Sequence, residues 1–467
     1  MNLRWGVALT VVLSVLAGGC ARESTAEDAG NVVDVLVDGE NCRGAHVSTR
    51  PHNRKVVYHG RSGTWFVFYG TGHWLEAGKE EEMAPREMIA WRCSSDDGKT
   101  WSGMHRAVVG NGHSSSTDVL LSGDTIYMTG TRWGYWRQKA NILWKQDGKV
   151  YYHRGSRDRP MFYAPHEVFG FKIEGGKLTG GKASAALPGD KHVMHAAPHY
   201  GSMTRDTKGH LWVAARALSK PPGLDVWVAR SERAGDASAW TEHEVLFHST
   251  GPGTVAAQII ALGEGHVGCV IFAKHEQMTA VTFYDPGTGR WSEPEKIGTG
   301  SKRSKRTCGV YDAHTKRLHV VYTDERGDLR HRSCRAPYRT VDWSPPLAEA
   351  GTLVAVGAGT SAGDDDLTLS VDRSRKPAAL ALVHRGRDQR LHLRYYDGKA
   401  WLRKDVSIGL ADERFGCDEA SAVEDFSHGL GFIYWCQWLD DAEKRRHNAV
   451  GQMRFCLVKD VKALFSE

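Results

Sequence analysis

Five tryptophans set the strongest constraint on this chain. Trp101, Trp240, Trp291, Trp343 and Trp401 each follow a polar turn, and the last four are separated by 51, 52 and 58 residues. A pair of apolar runs joined by a Gly- or Asp-bearing turn precedes such slots. This pair recurs at 55–69, 118–131, 202–217, 257–273, 308–323, 367–384 and 421–438. Each run alternates polar and apolar residues as half-buried strands do, as in Leu211-Trp212-Val213-Ala214-Ala215 and His319-Val320-Val321-Tyr322. No long stretch carries a helical period. A repeat of roughly 50 residues holding four short strands predicts an all-β fold, a β-propeller, because each small sheet must bury both faces against its neighbours. The 52 Gly against 15 Pro, with 16 Trp, suit tight turns and aromatic packing between blades.

Length alone would divide 467 residues into about three domains. The repeat replaces that division with a single propeller over 31–467. Seven units between residues 45 and 460 leave about 59 residues per blade, and six blades with a long insertion near 136–180 is the alternative. The seventh unit runs out before an outer strand. The segment 32–37, Val-Val-Asp-Val-Leu-Val, is predicted to supply it and close the ring, which removes an exposed sheet edge.

One turn carries a family resemblance. Ser94-Ser95-Asp96-Asp97-Gly98-Lys99-Thr100-Trp101 fits Ser-x-Asp-x-Gly-x-Thr-Trp at every defined position. It resembles the Asp-box, or BNR repeat, of the sialidase-like propeller superfamily. Degenerate copies stand at Asp397-Gly398-Lys399-Ala400-Trp401 and between Asp285 and Trp291. The resemblance implies a structural turn on the outer rim and the sialidase-like fold over about residues 45–460. It does not extend to the sialidase active site. The first arginine of that site belongs to a Phe/Tyr-Arg-Ile-Pro segment, and Thr49-Arg50-Pro51 lacks both the isoleucine and the aromatic residue. Some polysaccharide lyases resemble this architecture as well, with seven blades and a His/Tyr pair supported by Arg.

The N-terminus reads as an address. An early cation at Arg4, an apolar run over 7–17 and Leu16-Ala17-Gly18-Gly19 ahead of Cys20 predict a signal peptide over 1–19 that resembles a bacterial lipobox. Lipidation at Cys20 and a polar linker over 20–30 would tether an exported chain to a periplasmic or cell-surface membrane, the only membrane contact expected. Export permits disulfides among the remaining cysteines, but spacing does not assign their pairing. The net charge of +6 and the lack of a dense basic stripe argue against a nucleic-acid partner.

Propeller geometry predicts which residues meet a ligand. Inner strands begin, and second strands end, on one face above the central channel. Residues expected there for substrate binding are Arg50, Trp74, Arg132, Trp133, His275, Arg306, Asp366, Asp418 and Glu419, with Gln258 at another inner strand. Arginine pairs bidentately with carboxylates, and tryptophan stacks on sugar faces, so the set points to an acidic carbohydrate.

His113 and His199 start adjacent blades, Tyr200 follows His199, and Arg216 leaves the same blade's hairpin. These four are the candidate catalytic group. An imidazole takes a proton, tyrosine protonates a leaving oxygen, and arginine holds a carboxylate. Glycoside hydrolysis by a carboxyl pair drawn from Asp118, Asp366, Asp418 and Glu419 is the rival chemistry. His192, His195 and His199 do not make a helical metal site, because Pro198 and the strand setting forbid the helix. No metal or cofactor is expected, and no GxSxG, P-loop or HExxH pattern occurs. The expectation is an exported monomer that binds and cleaves an acidic glycan, with a non-catalytic glycan- or protein-binding propeller as the alternative.

Overall fold

The computed structural model describes residues 30–39, 53–71, 88–108, 111–112, 117–133, 142–146, 149–152, 166–187, 199–218, 223–251, 255–300, 307–357, 367–412, 415–438 and 451–466. These residues build a seven-blade β-propeller of antiparallel sheets. The inner strands of blades 1 to 7 are Val56–His59, Val119–Ser122, His199–Arg205, Val255–Ala261, Thr307–Asp312, Leu367–Asp372 and Phe415–Ala422. Each pairs with the strand that follows it in the hairpin, and the third and fourth strands continue outward. Among the described residues, no helix is long and apolar enough to cross a membrane.

The middle strands read as nearly unbroken apolar runs because both their faces meet another blade. Val267–Ala273, Val-Gly-Cys-Val-Ile-Phe-Ala, is buried at every position. The outer strand Glu244–Ser249 mixes exposed and buried positions, as one facing solvent should. The core is therefore a set of clusters lying between blades. One joins Trp212 and Val226 of blade 3 to Val255 and Cys269 of blade 4, and another joins Cys308 and Val321 of blade 5 to Leu367 and Leu380 of blade 6. The largest spans blades 6, 7 and 1, with Phe455 buried beside Trp65 and Trp101. Truncating such a residue to alanine costs about 3–5 kcal/mol.

The repeated tryptophans mark one structural position. Trp240, Trp291, Trp343 and Trp401 each bridge the third strand of their blade, at Ser231, Tyr284, Cys334 and Tyr396. After Trp101, Trp240, Trp291 and Trp401 the next residue donates its N–H to the third strand, at Cys93, Arg230, Phe283 and Tyr395. The turn before Trp101 is held by Asp96. Its carboxylate accepts the Thr100 N–H (3.0 Å) and hydroxyl (2.7 Å), and the Ser94 hydroxyl (2.7 Å). Those bonds hold the Asp96 carboxyl at about 2. Gly98 takes a φ of 78°, and a Cβ there would lie 2.4 Å from the Phe455 ring.

The ring closes as the N-terminal segment predicts. Val32–Asp38 pairs antiparallel with Gln452–Val458 as the outer strand of blade 7. Its acids fasten both neighbours. Asp34 accepts Arg454 Nε (2.9 Å) and the Tyr434 hydroxyl (2.6 Å), while Asp38 accepts the Tyr69 hydroxyl (2.9 Å) and Arg92 (3.0 Å) of blade 1. Seven blades exclude the six-blade alternative. The stretch near 136–180 holds a separate hairpin, Ile142–Gln146 with Lys149–Tyr152, and then the third strand of blade 2, His166–Glu174.

Candidate functional site

Strand register defines the channel face. His199 is opposite Arg216, Leu367 opposite His384, and Phe415 opposite Trp438, so inner-strand starts meet second-strand ends. The channel below is lined by residues in or just before the inner strands of six blades, among them Asn53, Thr204, Gln258, Gly309, Thr368 and Ala422.

Fixed ions occupy part of the channel. Arg54 pairs with Asp118 of blade 2 (2.8 Å) and with Glu424, which also takes Arg373 (2.5 Å). Asp118 is fully buried and accepts the Met203 N–H of blade 3 (2.7 Å). Burial alone would raise the Glu424 carboxyl, but Arg54 and Arg373 outweigh it and hold the group at about 2. Asp118 is thus committed to joining blades rather than to a carboxyl pair open to a ligand. Gln258 is committed in the same way: its side-chain amide exchanges two hydrogen bonds with the Gly309 backbone (2.9 and 2.7 Å).

Two blades interrupt their inner strands at matching places. In blade 3 the register shifts between His199 and Ser202, and in blade 7 between Asp418 and Ser421. Each bulge contains a non-glycine residue in the left-handed region, Tyr200 at φ 57° and Glu419 at φ 55°. Bulky side chains avoid that region, and such residues concentrate where a side chain is being aimed. Each bulge also ends on a serine that bonds to a neighbouring blade. Ser202 Oγ accepts the Ile259 N–H (3.2 Å), and Ser421 Oγ donates to the Asn53 carbonyl (2.9 Å).

The blade 3 bulge gathers three members of the candidate catalytic group. His199 and Arg216 are register partners, and the Arg216 guanidinium lies 4.3 Å above the Tyr200 ring. Tyr200 is buried and Arg216 partly exposed. The adjoining Gly201 is required: a Cβ there would fall 1.9 Å from Nε2 of His166 in blade 2. The fourth member, His113, lies outside the described residues.

Of the expected substrate-binding residues, the described ones belong to blades 2, 4 and 7. Arg132 and Trp133 end the second strand of blade 2, where they pair with Gly112 and Asn111. His275 is exposed on the blade 4 turn, with its ring against Gly251. Asp418 and Glu419 occupy the blade 7 bulge, and Glu419 is buried. Arg50, Trp74, Arg306, Asp366 and the lipidation candidate Cys20 lie outside the described residues.

Lys55 was not expected here. It is fully buried, and its ammonium donates to the Thr117 carbonyl. Burial lowers it to about 7, while Asp118 and Glu419 pull the other way. The sequence did hold a signal for it, since Arg54-Lys55 places two cations directly before an inner strand. The bulges also left a trace, the parallel runs Tyr200-Gly201-Ser202 and Glu419-Ala420-Ser421. Among the described residues, no group of three or more His, Cys, Asp or Glu is arranged to hold a metal ion.

Neither a protein-family model nor a curated protein matches this sequence. Solved structures do. An ulvan lyase of polysaccharide lyase family PL25, bound to GlcA(1-4)Rha3S, aligns at 11% identity and TM-score 0.52, covering 89% of this chain and 94% of its own. A protein of unknown function from Dyadobacter fermentans aligns at 13% identity and TM-score 0.49, covering 91% and 98%. A Hadza microbial sialidase aligns at 15% identity and TM-score 0.43, covering 91% and 69%. At 11% identity the likeness to the ulvan lyase is one of fold alone.

Proposed function

We propose that this protein binds an acidic glycan on its channel face and cleaves it by β-elimination next to a uronate. The observation that carries the reading is the blade 3 bulge. It sets His199 opposite Arg216 in strand register and carries the Arg216 guanidinium over Tyr200, which is held in a conformation that bulky residues avoid. Arg216 would pair with the uronate carboxylate and stabilise the charge that builds as the C5 proton leaves. His199 takes that proton, and the C4–O4 bond breaks as the C4–C5 double bond forms. Tyr200 gives its proton to the departing O4. The products are an unsaturated uronate end and a free hydroxyl on the other fragment. A channel-face ligand of this kind is in keeping with the glucuronate-containing sugar in the ulvan lyase structure.

Digestion of uronate polysaccharides by the full chain tests the reading through the ultraviolet absorbance of unsaturated ends. Absorbance should rise with the wild-type chain. Arg216→Ala should lower the rate by about 100-fold or more, the scale of losing one charge-stabilising donor. Arg216→Lys should recover little, because a point charge does not replace a planar fork. A flat trace across uronate polysaccharides, with glycan binding retained, would overturn cleavage and leave a binding propeller.

A further inference from the structure

The inner and second strands of blade 7 place Cys417 and Cys436 directly opposite each other. Both are buried, both are free thiols, and their sulfurs are 3.6 Å apart. The Cys417 N–H does not cross to Cys436. It donates instead to the Gln389 carbonyl of blade 6 (3.0 Å). The two cysteines therefore form a non-hydrogen-bonded antiparallel pair, the kind in which Cα atoms approach to about 4.5 Å and side chains stand closest. That separation lies within the range a disulfide spans.

We propose that Cys417 and Cys436 are a disulfide-forming site, cross-linking the inner strand of blade 7 to its second strand. The inference stands on register and sulfur proximity and is independent of the glycan reading. The oxidant is a small or protein disulfide such as oxidised glutathione. One cysteine thiolate attacks it, releasing one thiol and forming a mixed disulfide. The other cysteine then displaces the second thiol. In total the two cysteines lose two protons and two electrons, and the oxidant's S–S bond becomes two thiols. Burial pushes the Cys436 thiol well up in the folded blade, which suppresses the thiolate. Exchange consequently belongs to folding, before the strands are covered.

The location gives the bond a consequence. Cys417 immediately precedes Asp418 and Glu419, where the inner strand leaves its regular register. A covalent bond one residue from the bulge limits the local opening of that part of the channel face.

The full chain expressed in a host with an oxidising cytoplasm tests the site without relying on export. The protein is denatured, alkylated without reduction, digested and mapped by mass spectrometry. A peptide pair linked through Cys417 and Cys436 is expected in most molecules. Reductant should then lower the Tm of wild type by several degrees and leave the Tm of the Cys417→Ala/Cys436→Ala chain unmoved. Complete alkylation of both cysteines, or their linkage to other cysteines, would overturn the proposal. If the double variant does not fold, the wild-type peptide map decides alone.

Discussion

A single buried ammonium gives the candidate site a pH signature. Lys55 titrates near 7 in the folded protein instead of at its ordinary 10.5, because burial disfavours its charge more than nearby Asp118 and Glu419 favour it. Between those two values the unfolded chain holds a proton that the folded chain has released. Stability therefore rises with pH across the window, and below about 7 both states are protonated and the slope disappears. Urea midpoints measured from about pH 7 to about pH 10 should climb in wild type and climb less in Lys55→Met. An unchanged slope in the variant would rule out Lys55 as the source. At this scale the sequence was informative about residue type and much less about environment. His199, Tyr200 and Arg216 could be singled out from their places in the repeat. The commitment of Arg54 to Asp118 and Glu424 depends on residues 64 and 370 positions away.

Turns and bulges divide along the same line. The turn from Ser94 to Trp101 is local chemistry, with donors and acceptors no more than four residues apart. A reader of the sequence can assign it. What makes its glycine indispensable is not local: the space for a Cβ at Gly98 is filled by Phe455 of blade 7. Gly98→Ala combines an unfavourable positive φ with overpacking, and should destabilise the protein by about 1–3 kcal/mol or more. Gly103→Ala, where a Cβ meets nothing within 4 Å, is the control. Equal urea midpoints for the two variants would refute the packing argument. The bulges are the reverse case. Tyr200-Gly201-Ser202 and Glu419-Ala420-Ser421 look alike on paper, but nothing within either tripeptide compels a left-handed residue. Each bulge instead ends on a serine, Ser202 or Ser421, that is bonded to an adjacent blade.

Closure is a property of the whole ring. The strand Val32–Asp38 joins a partner more than 400 residues away, and the side chain of Asp38 is 1% exposed where it meets Arg92. Removing the carboxylate costs about 1.5–3 kcal/mol, the scale of hydrogen bonds to a charged group, because Arg92 is itself only partly buried. Asp38→Asn should accordingly lower the urea midpoint and speed amide exchange across Gln452–Val458, and deleting the chain through residue 39 should do so more strongly. Exchange in that strand as slow as in wild type would show that the ring closes by other means.

The sequence by itself determined the all-β class, the repeat and the turn chemistry, and it pointed to the closing strand, while six blades stayed open until the sheets could be counted. The class, the repeat and the turns follow from periodicity or from contacts within a few residues, which are written in order along the chain. Only the tertiary structure decided which polar residues bind blades together and which stand at the channel face. It brought Arg216 over Tyr200, tied Asp118 and Gln258 to neighbouring blades, and set Cys417 against Cys436. The physical reason is that bulges, burial and ion pairing arise where blades meet, and those meetings are fixed only when the ring closes.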